Sequence, residues 1–252
     1  MPMAKRYFLA LIGIALLTAL SCADDAAQPA RPKALYLTHS AGFKHDVLPL
    51  SEQVLKEIAA RSDIDVTATQ DCSMVSREGL KPYDAVVFYT TGELPMSDEQ
   101  KAALIDFVKS GKGFVGIHSA TDTFYNWAEY GEMIGGYFDG HPWHQEVAIR
   151  VEDPRHPATR HLGASFKIAD EIYQFKNFSR ERVRVLMSLD PGSVDLTKPG
   201  VRRADKDFAL AWQRDFGRGR VFYTALGHRP EVWRDERYQR HLVEGLRWAM
   251  GL

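Results

Sequence analysis

Residues 83–118 read YDAVVFYTTGELPMSDEQKAALIDFVKSGKGFVGIH. The stretch opens on Tyr83–Thr90, a nearly continuous run of β-branched and aromatic residues, as a strand buried on both faces requires. Ser97 then begins an amphipathic segment. Ser97 and Gln100 have the spacing of a capping box, and Gly111 is the stop expected just past a helix C-terminus. Gly113–His118 is a second buried strand. Two apolar strands joined by a helix make a parallel crossover unit, which needs cover on both sheet faces.

On the N-terminal side the same grammar repeats. Lys33–Thr38 is a strand candidate. Asp46 is placed to cap a helix running to about Arg61, with Val47, Leu50, Val54, Leu55 and Ile58 on one face. Ile64–Thr69 is the next strand. The order β-α-β-β-α-β predicts an α/β fold with a mainly parallel sheet and helices on both faces. The second half is less regular. Val147–Val151, Phe166–Phe175, Val183–Ser188, Phe208–Trp212 and Arg220–Ala225 read as strands with few helices between them, and an amphipathic helix spans about Arg237–Met250. No internal repeat or linker interrupts 33–252, so this span reads as one domain with an elaborated second half.

The 252 residues carry 32 Lys+Arg against 33 Asp+Glu, a formal net charge of −1. There is no basic excess to neutralise phosphates, which argues against a nucleic-acid partner. With 45% hydrophobic and 26% charged residues the chain is neither disordered nor a disulfide scaffold. Residues 1–22, MPMAKRYFLALIGIALLTALSC, have a positive start at Lys5 and Arg6 and an apolar run from Tyr7 to Leu20. That run is short for a membrane span and ends in small residues, as a secretory signal does. Ala19-Leu20-Ser21-Cys22 also fits a permissive lipobox. The alternatives are lipidation of Cys22, ordinary cleavage after Ala23 and a retained membrane anchor; the first two are favoured. Those two make the protein exported: periplasmic, or lipid-anchored to the envelope with no other membrane contact. Residues 23–32 read as a tether. Cys72 then lacks an intramolecular partner and is expected to be buried packing.

In a parallel sheet, ligand sites form beyond the carboxyl ends of strands. Four polar segments stand there: 38–46, 90–93, 118–122 and 226–229. They bring His39, His118 and His228 to one predicted edge. Gly116-Ile117-His118-Ser119-Ala120 has the outline of a nucleophile elbow, with small neighbours and a histidine at the corner. Ser119 sits one residue off that corner, which weakens a serine-hydrolase reading. Residues 135–144, GGYFDGHPWH, form a shaped loop in which His141 and His144 could ligate a metal together with His39 or His118. Its aromatics suit a sugar face. Glu171, sharing a strand face with Tyr173, is a carboxylate inside an apolar run and must be paired or at a site.

The segments THSAGFKH at 38–45, GFVGIHSATDTF at 113–124, GGYFDGHP at 135–142, DEIYQF at 170–175 and GRVFYTALGH at 219–228 resemble the trehalose-utilisation, or ThuA-like, family over about 33–250. That resemblance implies a flavodoxin-like, class I glutamine-amidotransferase-like fold and a role in carbohydrate metabolism. The amidotransferase nucleophile of that fold is an elbow cysteine. Here His118 takes its place, so glutaminase chemistry is expected to be absent. The resemblance carries over His39, His45, His118, His141, Glu171 and His228 as site residues.

The function expected is an exported enzyme acting on a disaccharide, glycoside or keto-sugar. His118 or His228 would be the general base and Glu171 the acid or an orienting partner, with Asp122 as second carboxylate. His39, His45, Tyr125, Tyr137 and Trp143 would contact the small carbohydrate. A divalent metal ion on His39, His141 and His144 would be the cofactor. The alternative is a sugar-binding envelope lipoprotein without catalysis. A flavin or redox protein is disfavoured, since THSAGFKH is not a phosphate-cradling glycine loop.

Overall fold

A computed structural model of the chain describes residues 1–4 and 30–252. Of the expected export segment 1–22 only residues 1–4 are described, and of the expected tether 23–32 only residues 30–32; the rest of both lies outside the described residues. Arg31–Leu252 forms one compact unit. Among the described residues no helix is long and apolar enough to cross a membrane.

The elements of the first half follow the hydrophobic pattern closely. They are β1 (Lys33–Leu37), α1 (Leu48–Ala60), β2 (Asp65–Thr69), β3 (Ala85–Phe88), α2 (Asp98–Lys109) and β4 (Gly113–Ile117). The capping box forms as expected: Gln100 N donates to Ser97 Oγ and Ser97 N to Gln100 Oε1. One expectation fails. Val47, not Asp46, precedes α1 and no side chain caps it, while Pro49 lies in its first turn, where a missing N–H costs nothing.

The second half holds α3 (Ala128–Ile134), β5 (Tyr137–Phe138), β6 (Trp143–Val151), β7 (Ser165–Ile172), β8 (Phe175–Lys176), β9 (Arg184–Leu189), β10 (Ala209–Phe216), β11 (Gly219–Thr224), α4 (Pro230–Arg234) and α5 (Glu236–Met250). The loop expected at 135–144 therefore contains the short β5 and the start of β6. The main sheet has nine strands in the order β2-β1-β3-β4-β11-β10-β9-β6-β7. Its first five strands are parallel and the rest antiparallel. Helices α1, α4 and α5 pack together, and α2 packs with α3, giving a layer on each face. The α5 layer comes very close: a Cβ on Gly245 would sit 2.4 Å from the Phe222 ring. Cys72 is buried and unpaired, and burial pushes its thiol up to about 11, so it stays a packed thiol.

Two features of this fold position the site. The chain leaves β1 for β2 on one side and β3 on the other, which opens a crevice at the carboxyl edge. The sheet also curls, so that the far strand β7 returns over that edge. Asp170 on β7 accepts from Gly227 N at 2.7 Å, just beyond the end of β11.

Candidate active site and cation centre

His118 follows β4 directly, at the sharp corner the elbow pattern predicts, with φ at 46°, a left-handed conformation that a β-carbon disfavours. Its neighbours hold it there. Gly116 is needed because a Cβ would meet the Tyr223 ring at 2.9 Å and Ile134 Cδ1 at 3.1 Å. Tyr223 Oη donates to the His118 carbonyl at 2.6 Å. The His118 ring lies 2.6 Å from the Ala225 carbonyl through Nδ1. A carbonyl only accepts, so Nδ1 carries a proton and Nε2 is the nitrogen turned to the site.

His228 follows β11 on a loop fixed from below. Gly227 has φ at 126°, and its carbonyl accepts from Tyr89 Oη at 2.9 Å and Trp233 Nε1 at 2.7 Å. The Asp170 carboxylate accepts from Gly227 N through one oxygen and from Arg229 N through the other, at 2.7 and 3.1 Å. His45 follows β1. Its loop is pinned by Ala41 N and Gly42 N donating to the Thr91 carbonyl, and by Thr91 Oγ1 donating to the Phe43 carbonyl. The His45 ring is buried edge-on to His118 and His228. Glu171 and His144 are direct cross-strand partners on β7 and β6, which fixes their contact by register.

These side chains converge. Glu171 Oε2 lies 3.2 Å from His118 Nε2 and 3.2 Å from His228 Nδ1, and those two nitrogens are 3.3 Å apart. Glu171 Oε1 lies 2.7 Å from His144 Nε2 and 3.3 Å from His141 Nδ1. Donor atoms of His45, His118, His228 and Glu171 all fall within 4.8 Å of one another, as do those of His141, His144 and Glu171. The ring of Tyr173 lies 4.3 Å from that of His118, and Phe138 stands beside both Tyr173 and His141.

The electrostatics follow from burial and crowding. Burial alone would raise the Glu171 carboxyl, but hydrogen bonds and charge from His118 and His228 hold it well below the usual carboxylate range. Glu171 is therefore held as an anion among imidazoles, in keeping with the orienting alternative of its two expected roles. Burial, then the charges of His118 and His228, push His45 down to about 3, so its ring is neutral with a free lone pair. Burial works to lower His228, yet the Glu171 hydrogen bond and charge raise it above its ordinary value. Asp122 differs from Glu171: burial pushes its carboxyl up, against a hydrogen bond from Tyr125.

Three expected members are elsewhere. His39 stays outside the cluster, with Nδ1 2.8 Å from the Gln70 carbonyl, so it joins neither His118 and His228 nor His141 and His144. His45, six residues on, takes the inward position. Tyr137 is buried with Oη donating to Phe124 and Trp127 carbonyls, and Trp143 is fully buried with Nε1 donating to Asp195. Both are core, not pocket wall. Tyr125 does stand at the rim, bonded to Asp122 and the Phe138 carbonyl. Phe43, 66% exposed and edge-on to His45, stands there too. Sequence reasoning missed Asp170 as the brace of the His228 loop and Tyr173 as the ring neighbour of His118, although DEIYQF contains both. Hollows of about 540 Å³ beside α2 and about 580 Å³ beside Arg180 hold no histidine, so cavity size does not locate this chemistry.

The donor set fits a divalent cation. A tetrahedral ion with bonds of about 2.0 Å to N and O has ligand atoms about 3.3 Å apart. The His118, His228 and Glu171 atoms already stand at 3.2, 3.2 and 3.3 Å. The His118 Nδ1–carbonyl bond is also the outer contact that metal-binding histidines make.

A family model described as ThuA, trehalose utilisation, matches residues 33–249. A ThuA-like protein of Bacteroides uniformis ATCC 8492 is 27% identical with a TM-score of 0.75, covering 88% of this chain and 93% of its own. One from Parabacteroides merdae ATCC 43184 is 20% identical with a TM-score of 0.69, covering 87% and 90%. A cytoplasmic protein of Salmonella typhimurium LT2 shares the fold at 15% identity and a TM-score of 0.60, covering 86% and 99%. No curated protein matches this chain.

Proposed function

The chain belongs to the ThuA, trehalose-utilisation, family, and from that premise we propose an exported carbohydrate-processing enzyme of the envelope. It acts on a disaccharide, glycoside or keto-sugar at a divalent cation held by His45, His118, His228 and Glu171. The observation that carries this reading is the triangle of His118, His228 and Glu171 donor atoms at 3.2–3.3 Å. With Nδ1 turned to the Ala225 carbonyl, His118 Nε2 faces the Glu171 carboxylate, a contact that a shared proton or a bound cation would satisfy.

When bound, the cation supplies Lewis-acid polarisation of a substrate carbonyl or hydroxyl oxygen. His118 and His228 would commit their lone pairs to it and would then not be free to act as bases. The proton-transfer role falls to Asp122, whose raised carboxyl suits exchange nearer neutral pH. Tyr125 orients that carboxylate through its 2.6 Å hydrogen bond. The exposed rings of Phe43 and Tyr125 offer faces for sugar C–H groups. On a keto-sugar, removal of a proton beside the carbonyl would allow isomerisation or elimination of a glycosyl group.

A second reading has one observation behind it. Four protein donors closing on an ion is the pattern of structural centres, whereas catalytic centres keep a position open. That favours a sugar-binding envelope protein without turnover. A screen of oxidised and unoxidised disaccharides, followed by NMR, separates the two. Catalysis is expected from cation-loaded protein, with a loss of about 10²–10⁴-fold in Asp122→Asn. Sugar binding without product would support the second reading, and neither binding nor product would overturn both.

A further inference from the structure

We propose that the site is a two-cation centre bridged by Glu171, in which His141 and His144 hold a second, solvent-facing divalent ion. This builds on the single-cation reading above and adds where substrate oxygen meets metal.

The argument begins with the division of Glu171. Its two oxygens face two separate pairs of imidazoles: Oε2 faces His118 and His228, and Oε1 faces His144 and His141. Balancing one negative charge does not require four rings. A carboxylate placed between two sets of nitrogen donors is the arrangement that joins two cations through one ligand. In two-metal hydrolytic centres the ions sit about 3.5–4 Å apart, within the span of such a bridge.

The two sets differ in burial. His45 and His118 are buried and His228 is 23% exposed in its side chain, whereas His141 and His144 are 49% and 44% exposed. The inner set has four protein donors and the outer set three. A three-donor set leaves a coordination position for water or a substrate oxygen. The outer ion is thus the substrate-facing one, and the closed inner set no longer argues against catalysis. Phe138, stacked on the His141 ring, and Tyr173 beyond it give that face an apolar wall. A centre of this kind selects ligands with two adjacent oxygens, such as a hydroxy-ketone or a vicinal diol of a sugar.

The test uses the whole chain, stripped with chelator and titrated with Zn²⁺ or Mn²⁺ by calorimetry, with ion content measured after dialysis. Two ions per chain are expected, in a tight and a weaker step. His141→Ala with His144→Ala alters only exposed rings, and circular dichroism checks its fold. It is expected to keep the tight step and weaken the other more than tenfold. Doubly loaded Mn²⁺ protein is expected to give an exchange-coupled paramagnetic spectrum that this variant lacks. One ion per chain, indifferent to the double substitution, would overturn the bridge and leave the single-cation reading standing. One ion lost on that substitution would overturn the inner site as well, and so would no binding at all.

Discussion

Glu171→Gln is expected to lower turnover by more than about 10³-fold and to remove tight cation binding, while the protein stays folded. Loss of a group that merely orients a ligand costs about 10–100-fold, so the larger figure distinguishes a ligand from a support. The physical reason is specific. Both carboxylate oxygens are engaged, each within 3.3 Å of imidazole nitrogens on its side. An amide keeps one oxygen and presents an NH₂ to the other pair. It also removes the negative charge that lets several imidazoles share one buried place. Turnover of the sugar found by screening, together with equilibrium dialysis of the cation, checks this. Retention of a tenth of the parent activity would reduce Glu171 to an orienting role.

Asp170→Asn is expected to cost about 1–3 kcal/mol of stability and to lower turnover at least about tenfold without touching substrate. Asp170 is fully buried and accepts two backbone N–H groups through different oxygens, at Gly227 and Arg229. Asparagine can accept only one of them and turns a donor toward the other. His228 lies between those two positions, so the loop shift reaches the cluster through the backbone. Urea unfolding measures the first effect. A fall in cation affinity that parallels the fall in rate marks Asp170 as a positioning residue. Destabilisation with unchanged affinity would make its role purely structural.

How much of this was legible in the sequence varies with the kind of contact. The crossover unit at 83–118 was readable because its strands are buried on both faces and its helix carries its own cap at Ser97. His118 was readable because the elbow pattern demands small neighbours, and Gly116 has no room for a side chain. The choice of His45 over His39 was not. Both lie in the loop after β1, and which one turns inward depends on the pinning of residues 41–43 by Thr91, a contact 48 residues away in the case of Phe43. Tyr137 and Trp143 carried the composition of a sugar platform. Tyr137 lies against Gly131 of α3 and Trp143 edge-on to Phe208, contacts that no local pattern encodes. The same limit applies to Glu171. Its place in an apolar run marked it, but its partners depend on the curl that carries β7 over the opposite edge of the sheet.

Anomalous diffraction at the zinc edge, from crystals of chelator-stripped protein reloaded with Zn²⁺, tests the cation centre most directly. The expected result is a peak about 2.0–2.2 Å from donor atoms of His45, His118, His228 and Glu171. Well-ordered side chains with no peak among them at saturating zinc would contradict the account.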